Sequence, residues 1–356
     1  MMRTRVVAAA ALAAMLVFAA LPSGTTAEEV VWQVGGPAIA LPSAVKSDYR
    51  WLDPLRGREV PATIYYPASA TGPLPVIVFS HGLGRSREDY AYLGRHWASH
   101  GYIAVLVQHP GSDQAVRQRT VRPIKALREA WEDPVNAMNR RRDLIFAIDQ
   151  LERMKIQNMP LGPWLDLERV GVAGNDFGAQ TAMVLAGQAL PGQITRPDPR
   201  VKAVVAMSPP VPQRGISLAE AYEHVHVPCL YMTGTQDDGL VGATKADQRR
   251  LPFDYTFGGD QYLLTFRGGD HMIYCGHVLD RTRGQNDAFF QRLICVSSTA
   301  FMDAYLKDHP GMKTWMIAGG LNNTLGRHGW VERKLGGDDE ALEEIVSSGR
   351  EGKPRQ

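Results

Sequence analysis

From about residue 58 onward the chain alternates short apolar runs with helical stretches, and this rhythm constrains the fold more than any single residue does. Glu59 to Tyr66 is rich in β-forming residues and stops at Pro67. Pro75 to Ser80, Tyr102 to Val107, Val170 to Ala173, Val201 to Met207, Val227 to Thr233 and Tyr262 to Phe266 follow, several of them unbroken apolar runs of the kind a strand buried on both faces needs. Helical segments lie between them. Arg87 to His100 is closed by Gly101. A long helix opens at Asp133-Pro134, with proline at its first position and Leu144, Ile148 and Leu151 at helical spacing. Ala179 to Gly187 is a third, and Asn286 to Lys307 reads as a final amphipathic helix with Phe290, Leu293, Ile294, Phe301 and Leu306 toward the core. The expected architecture is α/β: a mostly parallel central sheet flanked by helices. Arg140-Arg141-Arg142 reads as a solvated face of the long helix.

The ends read differently from the middle. A basic start (Arg3, Arg5), an uncharged stretch from Val6 to Leu21 and small residues up to Ala27 describe a secretory signal, residues 1–27, cut near Ala27. The expected location is therefore secreted or periplasmic, with no stable membrane span in the mature chain. Residues 28–336 form a single expected domain, in which 109–133 are an excursion over the sheet's carboxyl edge or a long solvated loop. Residues 337–356 read as a weakly ordered polar tail. With a formal net charge of +2 over 356 residues, nothing points to nucleic acid. The three cysteines leave one disulfide and one free thiol open. No CxxC or HExxH spacing supports a metal, and no cofactor is expected.

Four pieces fall at the carboxyl ends of the expected strands, where open α/β sheets build their sites. Ser80-His81-Gly82-Leu83-Gly84 is a tight turn able to aim a backbone N–H at a developing oxyanion. Gly174-Asn175-Asp176-Phe177-Gly178 lies between a strand and a helix, its glycines (Gly174, Gly178) permitting a close turn that presents Asp176 at the tip. The N–H groups of Leu83 and Phe177 form the expected oxyanion pair, with His81 and Gly82 as supports. In Thr233-Gly234-Thr235-Gln236-Asp237-Asp238, Asp237 is the first choice for an acid that orients a histidine, and Asp238 the second. Gly269-Asp270-His271-Met272 supplies that histidine, His271, after the last strand of the series.

The order nucleophile, acid, histidine is that of the α/β-hydrolases, which the chain resembles over nearly all of residues 58–310. Pro75 to Asp113, the Asp-Leu-Ile-Phe-Ala-Ile-Asp-Gln-Leu stretch at 143–151 and Gly269 to Met272 look like secreted relatives of dienelactone hydrolase and platelet-activating-factor acetylhydrolase. That resemblance implies an esterase with serine or cysteine where this chain has Asp176. Aspartate there is the pattern of haloalkane dehalogenases and epoxide hydrolases, which usually have tryptophan in place of Phe177. Epoxide hydrolases also usually have proline in place of Gly84. Trp131, Tyr90 and Tyr92 fall near the expected cleft. Three functions fit. One is hydrolysis of a small organic substrate through a covalent ester on Asp176. The others are weak ester hydrolysis on an esterase scaffold, and a non-catalytic protein that has lost its serine.

Overall fold

In the computed structural model, nine strands form one sheet in the order β1-β2-β4-β3-β5-β6-β7-β8-β9. The structure describes residues 43–192, 196–212, 215–242, 244–277 and 283–336. The expected signal at 1–27 and the tail at 337–356 lie outside them. The strands are β1 (Ala44–Asp53), β2 (Arg58–Pro67), β3 (Leu74–Ser80), β4 (Ile103–Val107), β5 (Leu165–Asn175), β6 (Val201–Met207), β7 (Cys229–Gln236), β8 (Gln261–Asp270) and β9 (Gly329–Lys334). From β4 through β8 every neighbouring pair is parallel; β1–β2, β2–β4 and β8–β9 are antiparallel.

The apolar runs behave as residues of period two, each strand feeding both faces. Ile77 and Phe79 face α1 (Ala91–Ser99) and α8 (Asp287–Tyr305), packing with Trp97, Leu293 and Phe301. Val76 and Val78 face the opposite layer, where α4 (Pro134–Ile156) contributes Leu144, Ile148 and Leu151, and α5 (Phe177–Leu185) contributes Ala179, Ala182 and Met183. Asp133 caps α4 by accepting a hydrogen bond from the Val135 N–H at 2.9 Å, while proline fills the first position, where an N–H would have no partner.

Segment 109–133 contains two helices, α2 (Ala115–Gln118) and α3 (Pro123–Glu132). The chain also continues past the helix expected to be last. After α8 come α9 (Pro310–Ile317), α10 (Gly320–Leu325) and then β9, which pairs with β8. Two shorter helices, α6 (Leu218–Tyr222) and α7 (Leu251–Tyr255), complete the layers. One alternative left open by the sequence is resolved and one expectation is corrected. All three cysteines (Cys229, Cys275, Cys295) are buried free thiols, so no disulfide forms. Arg140 is fully buried rather than solvated, because its place on α4 faces the turn after β3. Among the described residues no helix is long and apolar enough to cross a membrane.

Candidate active site

Asp176 sits between β5 and α5 with φ 53° and ψ −118°, a conformation that costs a non-glycine residue about 1–3 kcal/mol. The elbow holds because its neighbours are small. A Cβ on Gly178 would lie 1.9 Å from the Ser80 carbonyl oxygen, and one on Gly174 would lie 2.1 Å from the Gly178 oxygen. The Asp176 N–H donates to the Met207 carbonyl at 2.9 Å, tying the tip to the end of β6.

The turn after β3 approaches from the other side. Leu83 N–H donates to Asp176 Oδ2 at 3.2 Å. The turn is fastened to the elbow through Tyr90: Gly82 N–H donates to its phenolic oxygen at 3.2 Å, and its O–H donates to Asn175 Oδ1 at 2.7 Å. Arg140 holds the turn from beneath. Its guanidinium donates to the His81 carbonyl at 2.7 Å, the Gly82 carbonyl at 3.3 Å and Ser112 Oγ at 2.8 Å, and it lies 4.4 Å over the Phe177 ring. Burial pushes its pKa down to about 9, which still leaves it charged at neutral pH. The Phe177 ring also meets Trp131 of α3 edge-on at 4.7 Å.

His271 follows β8 directly, and its Nε2 stands 3.9 Å from Asp176 Oδ1. Its Nδ1 is 2.9 Å from Asp237 Oδ1. A proton on Nδ1 directed at that carboxylate leaves the Nε2 lone pair facing Asp176. Asp237 is wholly buried; its carboxylate accepts Ser208 Oγ at 2.8 Å and Thr233 Oγ1 at 3.1 Å and forms an ion pair with Arg249 Nε at 3.1 Å. Asp238, the second choice, turns to solvent and bonds Lys245 Nζ at 3.1 Å and the Ala246 N–H at 3.0 Å, which lower its pKa. It makes no contact with His271.

Ser208 and Arg249 are absent from the sequence reading. Ser208, at φ 50° after β6, places its hydroxyl 2.9 Å from His271 Nδ1. Arg249 bonds the carbonyl oxygens of Ser208 and Asp237 at 2.7 and 2.9 Å. The Ser-Pro-Pro that closes β6 at the carboxyl edge was the available signal for Ser208. Nothing local marked Arg249. His81 is fixed within the turn: Nδ1 bonds the Gly82 carbonyl at 2.7 Å and Nε2 accepts the His109 N–H at 3.1 Å, and burial holds the ring neutral.

A second Ser–His–Asp series, Ser80–His109–Asp143, runs behind this turn with bonds of 2.9 and 3.0 Å. All three side chains are fully buried and none lines the cleft, so no substrate reaches them. The cleft itself has a volume of about 70 Å³ and is walled by Ile124, Leu127 and Trp131 on α3 and by Leu240 and Val241 opposite. Tyr90 and Tyr92 do not line it; Tyr92 donates to the Tyr274 carbonyl at 2.9 Å. Among the described residues no cluster of metal-binding side chains occurs.

A mostly parallel sheet with a strand–elbow–helix tip, a facing backbone donor and an acid–histidine pair directly after β7 and β8 defines an α/β-hydrolase fold. Residues 55–130 match the family model of platelet-activating factor acetylhydrolase, isoform II. The chain is also similar to the platelet-activating factor acetylhydrolase of Cavia porcellus, 26% identical over 180 residues. That alignment covers 42% of this chain and 38% of the relative's length.

Proposed function

We propose that the protein is a hydrolase in which Asp176 is the nucleophile toward a small organic substrate. The reading rests on the division of labour between the two Asp176 oxygens: Oδ2 lies on the Leu83 N–H, whereas Oδ1 faces the cleft beside His271 Nε2. Oδ1 attacks an electrophilic carbon, an ester forms on Asp176, and the leaving group departs with its electron pair. His271 Nε2 then takes a proton from water, whose oxygen adds to the Asp176 carboxyl carbon. The oxyanion that develops on Oδ2 is already at the Leu83 N–H, with the Phe177 N–H as the second donor. Collapse breaks the bond from the carboxyl carbon to the ester oxygen, His271 returns its proton to that oxygen to release an alcohol, and the Asp176 carboxyl loses its remaining proton to solvent, which restores the carboxylate. Asp237, held by Ser208 and Arg249, orients His271 and stabilises its cation.

In this mechanism Asp176→Asn abolishes turnover and His271→Gln accumulates a covalent adduct, seen by mass spectrometry as the substrate's added mass on the Asp176 peptide. Undiminished turnover by Asp176→Asn would sink it. The similarity to an acetylhydrolase favours a second reading, in which the substrate is a short acyl ester and Asp176 acts as a base toward water. A screen of esters, epoxides and haloalkanes separates the two: ester turnover without any adduct selects the second.

A further inference from the structure

Asp176, His271 and Arg249 line the cleft and are each committed to the chemistry above or to holding it, whereas Arg85 lines the same cleft and is not. Its guanidinium donates from Nη2 to the thioether of Met272 at 3.1 Å, a weak acceptor. Among the described residues it forms no ion pair. The acids near it are engaged elsewhere: Glu88 pairs with Lys46 Nζ at 3.3 Å, Asp89 accepts the Ser86 N–H at 3.0 Å, and Asp113, whose backbone bridges to that of Arg85, accepts Gln108 Nε2 at 3.0 Å and the Ala115 N–H at 3.2 Å. Its backbone is fixed, with its N–H on the Gly82 carbonyl at 3.2 Å and its carbonyl accepting the Gln114 N–H at 3.0 Å. A well-anchored cation therefore faces a mostly apolar cleft whose one carboxylate, among the described residues, is Asp176.

We infer that Arg85 is the leaving-group anchor, and that the substrate is a compact molecule whose saturated carbon carries a group departing as a small monoanion, halide or carboxylate. This rests on Asp176 being the nucleophile. Attack converts the Asp176 carboxylate and R–X into a neutral ester and X⁻, so one negative charge leaves Asp176 and appears on X. The anion is released into the cleft that the Arg85 guanidinium lines, and charge-assisted hydrogen bonds hold it there. An epoxide would instead need a proton donor for the nascent alkoxide. Among the described residues no tyrosine lines the cleft, and the Tyr90 hydroxyl is spent on Asn175.

The amide of Asp176→Asn mimics the neutral esterified state, so binding can be read without turnover. Bromide titrated into the Asp176→Asn protein, followed by bromide NMR line broadening, is expected to bind about tenfold more tightly than to wild type. The excess broadening should vanish in Asp176→Asn/Arg85→Gln, with circular dichroism confirming that this variant is folded. Competition by acetate distinguishes the two anions: displacement of bromide assigns the site to carboxylates as well, and acetate without effect restricts it to halides. Broadening that persists without Arg85, or none in Asp176→Asn, overturns the assignment. The covalent adduct in His271→Gln is a separate measurement, so failure of the nucleophile and failure of the anion site give different results.

Discussion

At Asp176 the backbone accepts strain so that one carboxylate oxygen occupies the donor site a serine enzyme reserves for its substrate's carbonyl. In the proposed mechanism an acyl substrate would meet an occupied Leu83 N–H and a carboxylate whose attack forms an anhydride. Asp176→Ser removes both obstacles while keeping His271 and Asp237. The expected outcome is a gain of about tenfold or more in hydrolysis of a short p-nitrophenyl ester, with loss of any activity on alkyl halides, measured side by side with wild type. No gain on the ester would mean that the His271 arm is not aligned for a hydroxyl. Much of this residue-level arrangement was legible in sequence, because strand ends and chain order placed Asp176, Asp237 and His271 in a recognisable series. The choice between Asp237 and Asp238 was not. It depends on which side chain meets Thr233, four residues back, together with Ser208 and Arg249, which lie 29 and 12 residues away in the chain. Arg140 misled for a related reason: three consecutive arginines carry no mark of which one the helix turns inward.

The element that carries His271 is the connection between β8 and α8, and it is fastened a few residues later by a second histidine. His277 bonds Asp270 Oδ2 through Nε2 at 2.9 Å and Asp287 Oδ1 through Nδ1 at 2.7 Å. Burial works against its charge, but the two carboxylates outweigh it and raise its pKa above the usual histidine value. A raised folded pKa makes the stabilisation complete below about pH 6.5, the unfolded value, and it is lost as pH rises through the folded one. His277→Asn should therefore lower the melting temperature by roughly 2 °C at pH 6, and the gap to wild type should close at pH 9. A constant gap across that range would remove the ion-pair account. Elements were legible in proportion to their burial. The inner strands read as apolar runs, with β6 matching Val201 to Met207 residue for residue. The edge strands β1 and β9 did not. In β1 the residues Lys46, Asp48, Arg50 and Leu52 alternate with half-buried neighbours, so its composition resembles a loop. The paired strand, and not its own sequence, makes it a strand.

Across the whole molecule, the catalytic edge is joined to the far hairpin by one buried carboxylate. Asp143 of α4 accepts Arg56 Nη1 at 2.7 Å from the β1–β2 turn, Arg58 Nε and Nη2 at 3.0 and 2.9 Å from β2, and His109 Nδ1 at 3.0 Å from the end of β4. His109 in turn meets Ser80 at the root of the turn that presents Leu83, and Arg140 lies one helical turn before Asp143. Burial opposes the Asp143 charge, yet His109 and Arg58 overcome it and depress the pKa. A depressed value means that the stabilisation is present above about pH 4, where the unfolded carboxyl ionises, and disappears as pH falls through the folded value. Asp143→Asn keeps the volume but leaves two guanidinium groups facing a neutral amide, a loss of about 3–5 kcal/mol. For a domain of this size that corresponds to a fall in melting temperature of roughly 5–8 °C at pH 7. The deficit relative to wild type should shrink as pH falls below about 4, where the unfolded carboxyl takes up a proton, and close once pH passes the depressed folded value, where the native carboxyl is itself neutralised. Since the same carboxylate indirectly sets the Leu83 turn, slower turnover should accompany the lower melting temperature. A variant that melts lower but turns over at the wild-type rate would show that the hairpin needs Asp143 and the turn does not.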